Sequence, residues 1–292
     1  MFGRESIELK SVADLRVMRR AGLVVADALD AVRAAARPGL TTLDLDAVAA
    51  DVIARAGATP SFLGYQGFPA TICVSVNDEV VHGIPGDRVL AAGDLVSVDC
   101  GAIVDGWHGD SALSFVLGAD GAASPDAAPP DAAPDATADL ALVAATERAM
   151  WSGIAALAGA ARLGEVGDAI DDSVVADGAA DGVEYGIVTE YTGHGIGTAM
   201  HQPPDVLNFR SGHRGPRVRP GLCVAIEPMV TRGSAGTRVL QDDWTVVSDD
   251  GSRAAHWEHT VAVLPEGVLV LTARDGGAEE LAARGVRVAT LV

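Results

Sequence analysis

Residues 93–99 read GDLVSVD, and residues 221–227 read GLCVAIE. Each stretch begins at a glycine, continues as an apolar run typical of a buried strand, and carries a carboxylate six residues after the glycine, at Asp99 and at Glu227. An internal repeat sets the architecture of a chain before any local detail does. The two stretches therefore predict a protein built from two related halves.

Two further pairs of segments repeat in the same order along the chain. The HGIP stretch that starts at His82 matches the HGIG stretch that starts at His194. The WHGDS stretch around Asp110 matches the HWEH stretch around Glu258. Each half is thus predicted to supply one HGI histidine and two carboxylates on strands.

Both halves show helical patterns followed by strand patterns. Apolar residues recur at helical spacing and are followed by shorter β-type runs between Gly, Pro and Asp residues. In the first half we predict helices at 11–36 and 43–56, the second capped by Thr41 or Thr42, and strands at 70–76, 95–104 and 111–117. In the second half we predict helices at 140–161 and 166–178 and strands at 186–191, 222–230, 243–247 and 259–264. This pattern indicates an α+β protein with an antiparallel sheet.

Between the halves lies a stretch of only Gly, Ala, Ser, Pro, Asp and Thr, at 118–138. None of these residues is large enough to anchor a core, so we expect a flexible insertion there. One catalytic domain is expected over 1–292, with halves at about 11–117 and 139–265.

The amino-acid composition disfavours some classes of binding partner. Forty acidic residues against 21 basic ones give a net charge of −19, which opposes binding to DNA or to an anionic membrane. The N-terminus lacks the apolar core of a signal peptide, and we find no uncharged apolar run of 18 residues, so a cytoplasmic protein is expected. The three cysteines lie in apolar contexts without a CxxC pair, which favours buried free thiols.

The four repeated carboxylates indicate a metal centre. Asp99 and Glu227 end apolar runs, where an ionised side chain is costly unless it is compensated. Asp110 and Glu258 would join them if the halves pack about a pseudo-two-fold axis, and four adjacent carboxylates repel each other unless they are protonated or bound to metal. With His194 as a nitrogen ligand, the set suits two ions of Mn, Fe, Co or Zn better than Ca.

The other histidines fall into two groups. His82 and His201 lie in Gly-punctuated turns next to the proposed ligands, which favours a catalytic or substrate role. The remaining four are expected to be structural: His108, His213, His256 and His259.

These residues, at these spacings, resemble type I methionine aminopeptidases, which are metalloenzymes of the pita-bread fold. The resemblance extends over nearly the whole chain and is carried by NDEVVHGIP (77–85), SVDCGAIVDGWHGDSALSF (97–115), YTGHGIGTAMHQPP (191–204), AIEPMV (225–230) and DDWTVVSDDGSRAAHWEHTVAV (242–263). It implies a curved antiparallel sheet, two pseudo-two-fold-related halves and helices outside the sheet.

The resemblance also implies a role for each site residue. Two divalent metal ions would be held by Asp99, Asp110, His194, Glu227 and Glu258, with Asp110 and Glu258 shared between them. His82 and His201 would handle the substrate, and Glu227 would also relay a proton. The methionine pocket would consist of Phe62, Tyr65, Phe68, Cys73, Met200 and Trp244. Met200 stands where close relatives are expected to carry an aromatic residue.

The implied activity is that of a methionyl aminopeptidase, which removes the initiator methionine of nascent peptides by two-metal hydrolysis and prefers a small second residue. The expected partner is a nascent peptide at the ribosome, and a monomer is expected. Two alternatives remain open. Xaa-Pro peptidases share the fold and the ligand types but usually carry a large extra N-terminal domain, and non-catalytic proteins of the fold typically lack some of the ligands.

Overall fold

A computed structural model of the protein describes residues 6–118 and 136–291. The predicted insertion at 118–138 therefore lies mostly outside the described residues. Its predicted end at residue 138 is wrong, because Ala136 is already in a helix. That helix begins four residues before the predicted start at 140, since Ala, Thr and Asp at 136–139 fit a first helical turn.

The described part of the chain contains five helices. They are α1 (Val12–Ala35), α2 (Thr42–Arg55), α3 (Ala136–Leu157), α4 (Gly164–Asp181) and α5 (Ala278–Ala283). Both early helices begin with a capping box, in which the Ser11 or Thr41 side chain accepts from the backbone N–H of an Asp three residues later. Thr41, not Thr42, is thus the cap of α2.

By length and composition, α3 could span a membrane. In the fold, 56% of its most apolar 18-residue window is buried. Leu142, Met150 and Ile154 of α3 share a hydrophobic core with Val166 and Ile170 of α4. This packing is that of a core helix.

Fifteen strands are found in the described residues. They are β1 (Thr59–Pro60), β2 (Ile72–Val76), β3 (Glu79–Val81), β4 (Leu95–Val104), β5 (Trp107–Val116), β6 (Gly186–Ile187), β7 (Gly193–Gly195), β8 (Gln202–Val206), β9 (Cys223–Ile226), β10 (Met229–Thr231), β11 (Thr237–Val239), β12 (Val246–Ser248), β13 (Ala254–His256), β14 (Glu258–Leu264) and β15 (Gly267–Val270). A turn of 3₁₀ helix lies at Tyr65–Gly67.

The main sheet is antiparallel and joins the two halves at its centre. Its order is β1-β4-β5-β14-β9-β7-β8, with β2 paired to β4 and β15 paired to β14. At the central seam, Ala112 of β5 lies opposite Glu258 of β14. The backbone N–H of Asp110 donates to the Thr260 hydroxyl oxygen at 3.0 Å, and that hydroxyl donates to the backbone carbonyl of Asp110 at 2.7 Å. In the repeat, Asp110 aligns with Glu258 and Ala112 aligns with Thr260. The contact of Ala112 with Glu258 is therefore matched by a symmetry-related contact of Thr260 with Asp110, as the repeat predicts.

Three predicted strands are interrupted or shortened in the structure. The run at 222–230 is divided into β9 and β10, because Pro228 has no N–H to donate to a ladder. β10 instead belongs to a small sheet of order β13-β10-β6. The run at 243–247 shortens to β12, because Asp243 has a φ of 64° and the Asp242 carboxylate accepts from the backbone N–H groups of Trp244 and Thr245 in a turn. The run at 186–191 retains only the two residues of β6.

Candidate metal centre and substrate cavity

Strand alternation directs the predicted carboxylates to one face of the sheet. In β4, Val96, Val98 and Cys100 pack into the core that also contains Val25 and Leu29 of α1. Successive side chains of a strand point to opposite faces, so Asp99 faces away from the helices. The same argument applies to Asp110 in β5. Phe115 packs into the helix-facing core, and Asp110 lies an odd number of residues away, so its side chain points to the opposite face.

The second half contains the other three candidate metal ligands. Val224 and Ile226 of β9 and Val261 of β14 lie in the core beneath α3 and α4. Glu227 directly follows β9, and Glu258 is the first residue of β14. Each lies an odd number of residues from the core residues of its strand, so both side chains point to the face opposite the core. His194 lies at the centre of β7, which pairs with β9.

The five predicted ligands converge. One potential ligand atom from each of Asp110, His194 and Glu258 lies within 4.8 Å of the other two. Oε1 of Glu227 is 3.3 Å from Nε2 of His194. The Asp99 carboxylate is near enough to that of Asp110 to raise the pKa of Asp110. The structure thus brings together all five residues that were predicted to hold metal.

The carboxylates of this cluster lack enough protein partners. One buried oxygen each of Asp99, Asp110, Glu227 and Glu258 has no hydrogen-bond partner. Burial raises the pKa of Asp99 to about 7, and burial and neighbouring carboxylates raise the pKa values of the other three well above their ordinary range. Unpartnered buried carboxylate oxygens are costly. The donor set therefore fits divalent cations, which would satisfy these oxygens.

His194 is oriented as a metal-binding imidazole. Its Nδ1 lies 3.0 Å from the carbonyl oxygen of Gly195, and a hydrogen bond there requires the proton on Nδ1. Burial lowers the pKa of His194 to about 3, so the ring is neutral at physiological pH. The lone pair of Nε2 is then directed toward the carboxylates, as in metal sites where a carbonyl fixes the histidine tautomer.

The cluster opens into a cavity of about 220 Å³. Every residue that was predicted for the site lines this cavity. The lining consists of Phe62, Tyr65, Gln66, Phe68, Cys73, Val81, His82, Asp99, Asp110, His194, Met200, His201, Glu227, Trp244 and Glu258. Sequence reasoning missed Gln66 and Val81. Gln66 has a φ of 47° in the GYQG turn, and the flanking glycines at 64 and 67 were the available signal.

One end of the cavity is apolar. Phe62, Phe68, Ala70, Cys73 and Met200 form a separate hydrophobic cluster, against which Tyr65, Ile84 and Trp244 pack. The ring centroids of Phe68 and Trp244 are 5.1 Å apart in an edge-to-face contact. Such a recess can bind an apolar side chain.

Two histidines lie between the apolar recess and the carboxylates. His82 has a φ of 59°, and its ring meets Trp244 at a centroid distance of 6.1 Å. Burial lowers the pKa of His82 to about 4. A left-handed backbone at a bulky side chain is strained, and strain of this kind clusters at functional sites. The ring of His201 lies 4.3 Å from that of His194, centroid to centroid, and partial burial lowers its pKa.

The remaining histidines are not part of the cavity lining. Nδ1 of His108 is 2.9 Å from the Ser61 hydroxyl, and Nδ1 of His259 is 2.8 Å from the Thr272 hydroxyl. His256 is fully buried, and burial and the neighbouring His82 lower its pKa to about 3. Structural roles for these histidines remain a prediction.

Comparison with known proteins identifies the family. Residues 16–265 match metallopeptidase family M24. Methionine aminopeptidase 1 of Mycobacterium tuberculosis is 50% identical over 271 residues, which are 92% of this chain and 96% of that protein. The crystal structure of methionine aminopeptidase from Thermotoga maritima superimposes with a TM-score of 0.82 at 34% identity and covers 92% of this chain and 100% of that one.

A prolidase from Pyrococcus furiosus shares the fold alone. The TM-score is 0.67 at 17% identity, and the match covers 91% of this chain but only 65% of the prolidase. The fold is the pita-bread fold, as predicted. The chain therefore belongs to metallopeptidase family M24 and, within it, to the type I methionine aminopeptidases.

Proposed function

We propose that this protein removes the N-terminal methionine from peptides by metal-dependent hydrolysis. A single observation carries the proposal: a metal-binding carboxylate cluster and an apolar recess open into the same small cavity. A methionine side chain in the recess would place its own carbonyl group beside the carboxylates. The membership of the methionine aminopeptidase family supports the same activity.

The metal centre is proposed to hold two divalent ions of Mn, Fe, Co or Zn. Asp99, Asp110, His194, Glu227 and Glu258 would be the ligands, with Asp110 and Glu258 shared. Four carboxylates carry −4 when ionised, and two divalent ions supply +4, which balances the charge of a site with little access to water. When bound, the ions lower the pKa of a water molecule and polarise the scissile carbonyl.

The residues around the centre have distinct proposed roles. His201 donates a hydrogen bond to the carbonyl oxygen as negative charge develops on it. His82 contacts the substrate backbone near the free amine. Glu227 relays a proton to the leaving amine.

The recess sets the preference for methionine. Phe62, Phe68, Cys73, Met200 and Trp244 offer an apolar wall, and the sulfur of a methionine side chain makes favourable contacts with aromatic edges. His82 and His201 narrow the mouth, so a bulky second residue would collide with them. We therefore expect cleavage to be preferred when the second residue is small.

The cellular context is a proposal as well. Nascent peptides at the ribosome are the expected substrates, and a cytoplasmic monomer is the expected form. The net charge of −19 indicates that any contact with the ribosome would use ribosomal protein in preference to exposed RNA phosphates.

A blocked substrate tests the proposal. The protein is stripped with chelator, reloaded with Mn or Co, and assayed on Met-Ala-Ser, Met-Leu-Ser and N-acetyl-Met-Ala-Ser. We expect release of methionine from the first peptide, slow release from the second and none from the third. Equal cleavage of the acetylated peptide would contradict an aminopeptidase, because the free amine would then play no part in recognition.

A further inference from the structure

The segment before α1 contacts the loop that carries two of the cavity residues. The loop between β7 and β8, residues 196–201, contains Met200 and His201. The Glu8 carboxylate lies beside this loop. Its Oε1 accepts from the Thr198 hydroxyl at 2.8 Å, and its Oε2 accepts from the Thr198 backbone N–H at 3.3 Å and from Nε2 of Gln202 at 2.9 Å.

The two bonded residues flank the functional pair. Thr198 lies two residues before Met200, and Gln202 directly follows His201. A single carboxylate therefore ties together the two ends of the short stretch from which both cavity side chains project. Other bonds also hold this stretch: the backbone N–H of Ile196 donates to the carbonyl of Cys223 at 3.2 Å, and Nδ1 of His201 lies 2.9 Å from the Tyr65 hydroxyl. The backbone N–H of His108 donates to the carbonyl of Gly197 at 2.9 Å, upstream of the pair.

Glu8 is itself held in place. The backbone N–H of Lys10 donates to the carbonyl of Gly221 at 2.8 Å. Nζ of Lys10 lies 3.0 Å from the Glu8 carbonyl oxygen and 3.4 Å from its Oε2. Lys10 is the only lysine in the sequence, and its side chain is 1% exposed. A Cβ on Gly197 would overlap the Glu8 carboxylate and the Lys10 side chain, so this close approach requires glycine.

We propose that Glu8 is a positioning residue, which orders the 196–201 loop and thereby sets the placement of Met200 and His201 in the cavity. The inference rests on the proposed function, because it assigns Glu8 an effect on methionine selection and on turnover. It acts through Thr198 and Gln202 and does not touch the substrate.

The contacts require a carboxylate. Three donors from the loop share two acceptor oxygens, and the Lys10 ammonium supplies the opposite charge. Burial alone would raise the pKa of Glu8, but the hydrogen bonds from Gln202 and Thr198 and the charge of Lys10 lower it to about 2. An amide offers one acceptor oxygen and turns an NH₂ group toward a donor. Glu8→Gln keeps the shape of the side chain but removes its charge and the bonds to one of its two oxygens.

Asp250→Asn provides a matched control. The Asp250 carboxylate also accepts from backbone N–H groups, those of Ser234 and Ser252, and the Ser252 side chain together with these bonds lowers its pKa to about 2. It does not line the cavity. The same change of carboxylate to amide there should cost stability without altering methionine selection.

The experiment combines hydrogen exchange with kinetics of the metal-loaded enzyme. In Glu8→Gln, amide exchange over 196–206 should be faster than in wild type and in Asp250→Asn. Its kcat should fall roughly tenfold, since partial misplacement of a catalytic group costs part of the ~100-fold penalty for a 1 Å shift. The ratio of kcat/KM for methionine over norleucine substrates should change, while metal stoichiometry stays at the wild-type value.

A double-mutant cycle tests whether Glu8 acts through its bond to Thr198. Thr198→Val removes the hydroxyl donor, and its effect on kcat should not add to that of Glu8→Gln if the two side chains act through their bond. Unchanged exchange over 196–206 in Glu8→Gln would overturn the inference. Faster exchange with unchanged kcat and unchanged selectivity would also overturn it, because Glu8 would then only stabilise the fold. Absence of methionine release by the wild-type enzyme would contradict the proposed function instead, and the exchange result would still decide whether Glu8 orders the loop.

Discussion

Nδ1 of His201 lies 2.9 Å from the hydroxyl oxygen of Tyr65, and the two rings meet edge to face at a centroid distance of 5.3 Å. Partial burial lowers the pKa of His201, which keeps the ring neutral. When the Tyr65 hydroxyl donates to Nδ1, the ring proton is on Nε2. His201 can then act as a hydrogen-bond donor without carrying a charge.

This arrangement predicts a turnover defect in His201→Ala. Loss of one donor to a developing oxyanion lowers kcat by roughly 10²–10³, whereas binding of the ground-state substrate changes little. We expect KM and metal stoichiometry close to wild type. His194→Ala is the contrasting variant and should lose metal affinity. Metal titration and steady-state kinetics of both variants check this prediction. If the His201 variant lost its metal and the His194 variant kept it, the roles of metal ligand and hydrogen-bond donor would have to be exchanged.

Asp110→Asn should abolish activity and weaken metal binding. Asp110 lies in β5 at the seam between the halves, next to the Asp99 carboxylate and close to His194 and Glu258. An amide has one acceptor oxygen and no charge, so it cannot be shared between two cations as a carboxylate can. Asp87→Asn, at an exposed acidic residue outside the cavity lining, is the control. Full activity of the Asp110 variant would show that the proposed metal centre is wrong.

Met200 should broaden the side-chain preference. It is 3% exposed and packs with Phe62, Phe68 and Cys73 in the recess. A flexible thioether adapts to ligands of different shape better than a ring does. We expect norleucine, and to a lesser extent leucine, to be accepted, and Met200→Phe to raise the methionine to norleucine ratio of kcat/KM. An identical ratio in the variant would remove Met200 from the selection of the side chain.

Metal binding should strengthen as pH rises. Burial raises the pKa of Asp99 to about 7, and burial and neighbouring carboxylates also raise the pKa values of Asp110, Glu227 and Glu258, so the metal-free protein holds protons that cations must displace. The extra stability from bound metal is therefore present at high pH and is lost as pH falls through about 7 and below.

The measurement is the difference in Tm between protein with Mn and protein with chelator, at pH 5.5, 6.5 and 7.5. Buried histidines such as His256, with a pKa of about 3, also change stability with pH, because they take up protons on unfolding below pH 6.5. That contribution is common to both samples and cancels in the difference. A difference that is constant, or that grows as pH falls, would contradict the prediction.

The sequence predicted the fold where patterns are local or repeated. The capping residues Ser11 and Thr41 mark the starts of two helices, and β4 has the predicted bounds of 95–104. The carboxylate pair in each half could be found because strand alternation and the repeat act together. The division into halves at 11–117 and 139–265 remains a prediction.

Other features depend wholly or partly on long-range contacts. The break between β9 and β10 follows from a change of pairing partner at Pro228, and the pairing is long-range. Gln66 has a side chain without distinctive chemistry, and only its backbone turn places it at the cavity. Glu8 lies 190 residues from Thr198 in sequence, and nothing in its local pattern indicates the bond.

Competition between two peptides tests the central claim most directly. The protein is chelated, reloaded with one metal at a time, and assayed on Met-Ala-Ser and Ala-Pro-Ala under the same conditions. We predict that chelation abolishes methionine release, that reloading restores it, and that Met-Ala-Ser is cleaved far faster than Ala-Pro-Ala. Faster cleavage of Ala-Pro-Ala, or methionine release that persists in excess chelator, would contradict the assignment of a metal-dependent methionine aminopeptidase.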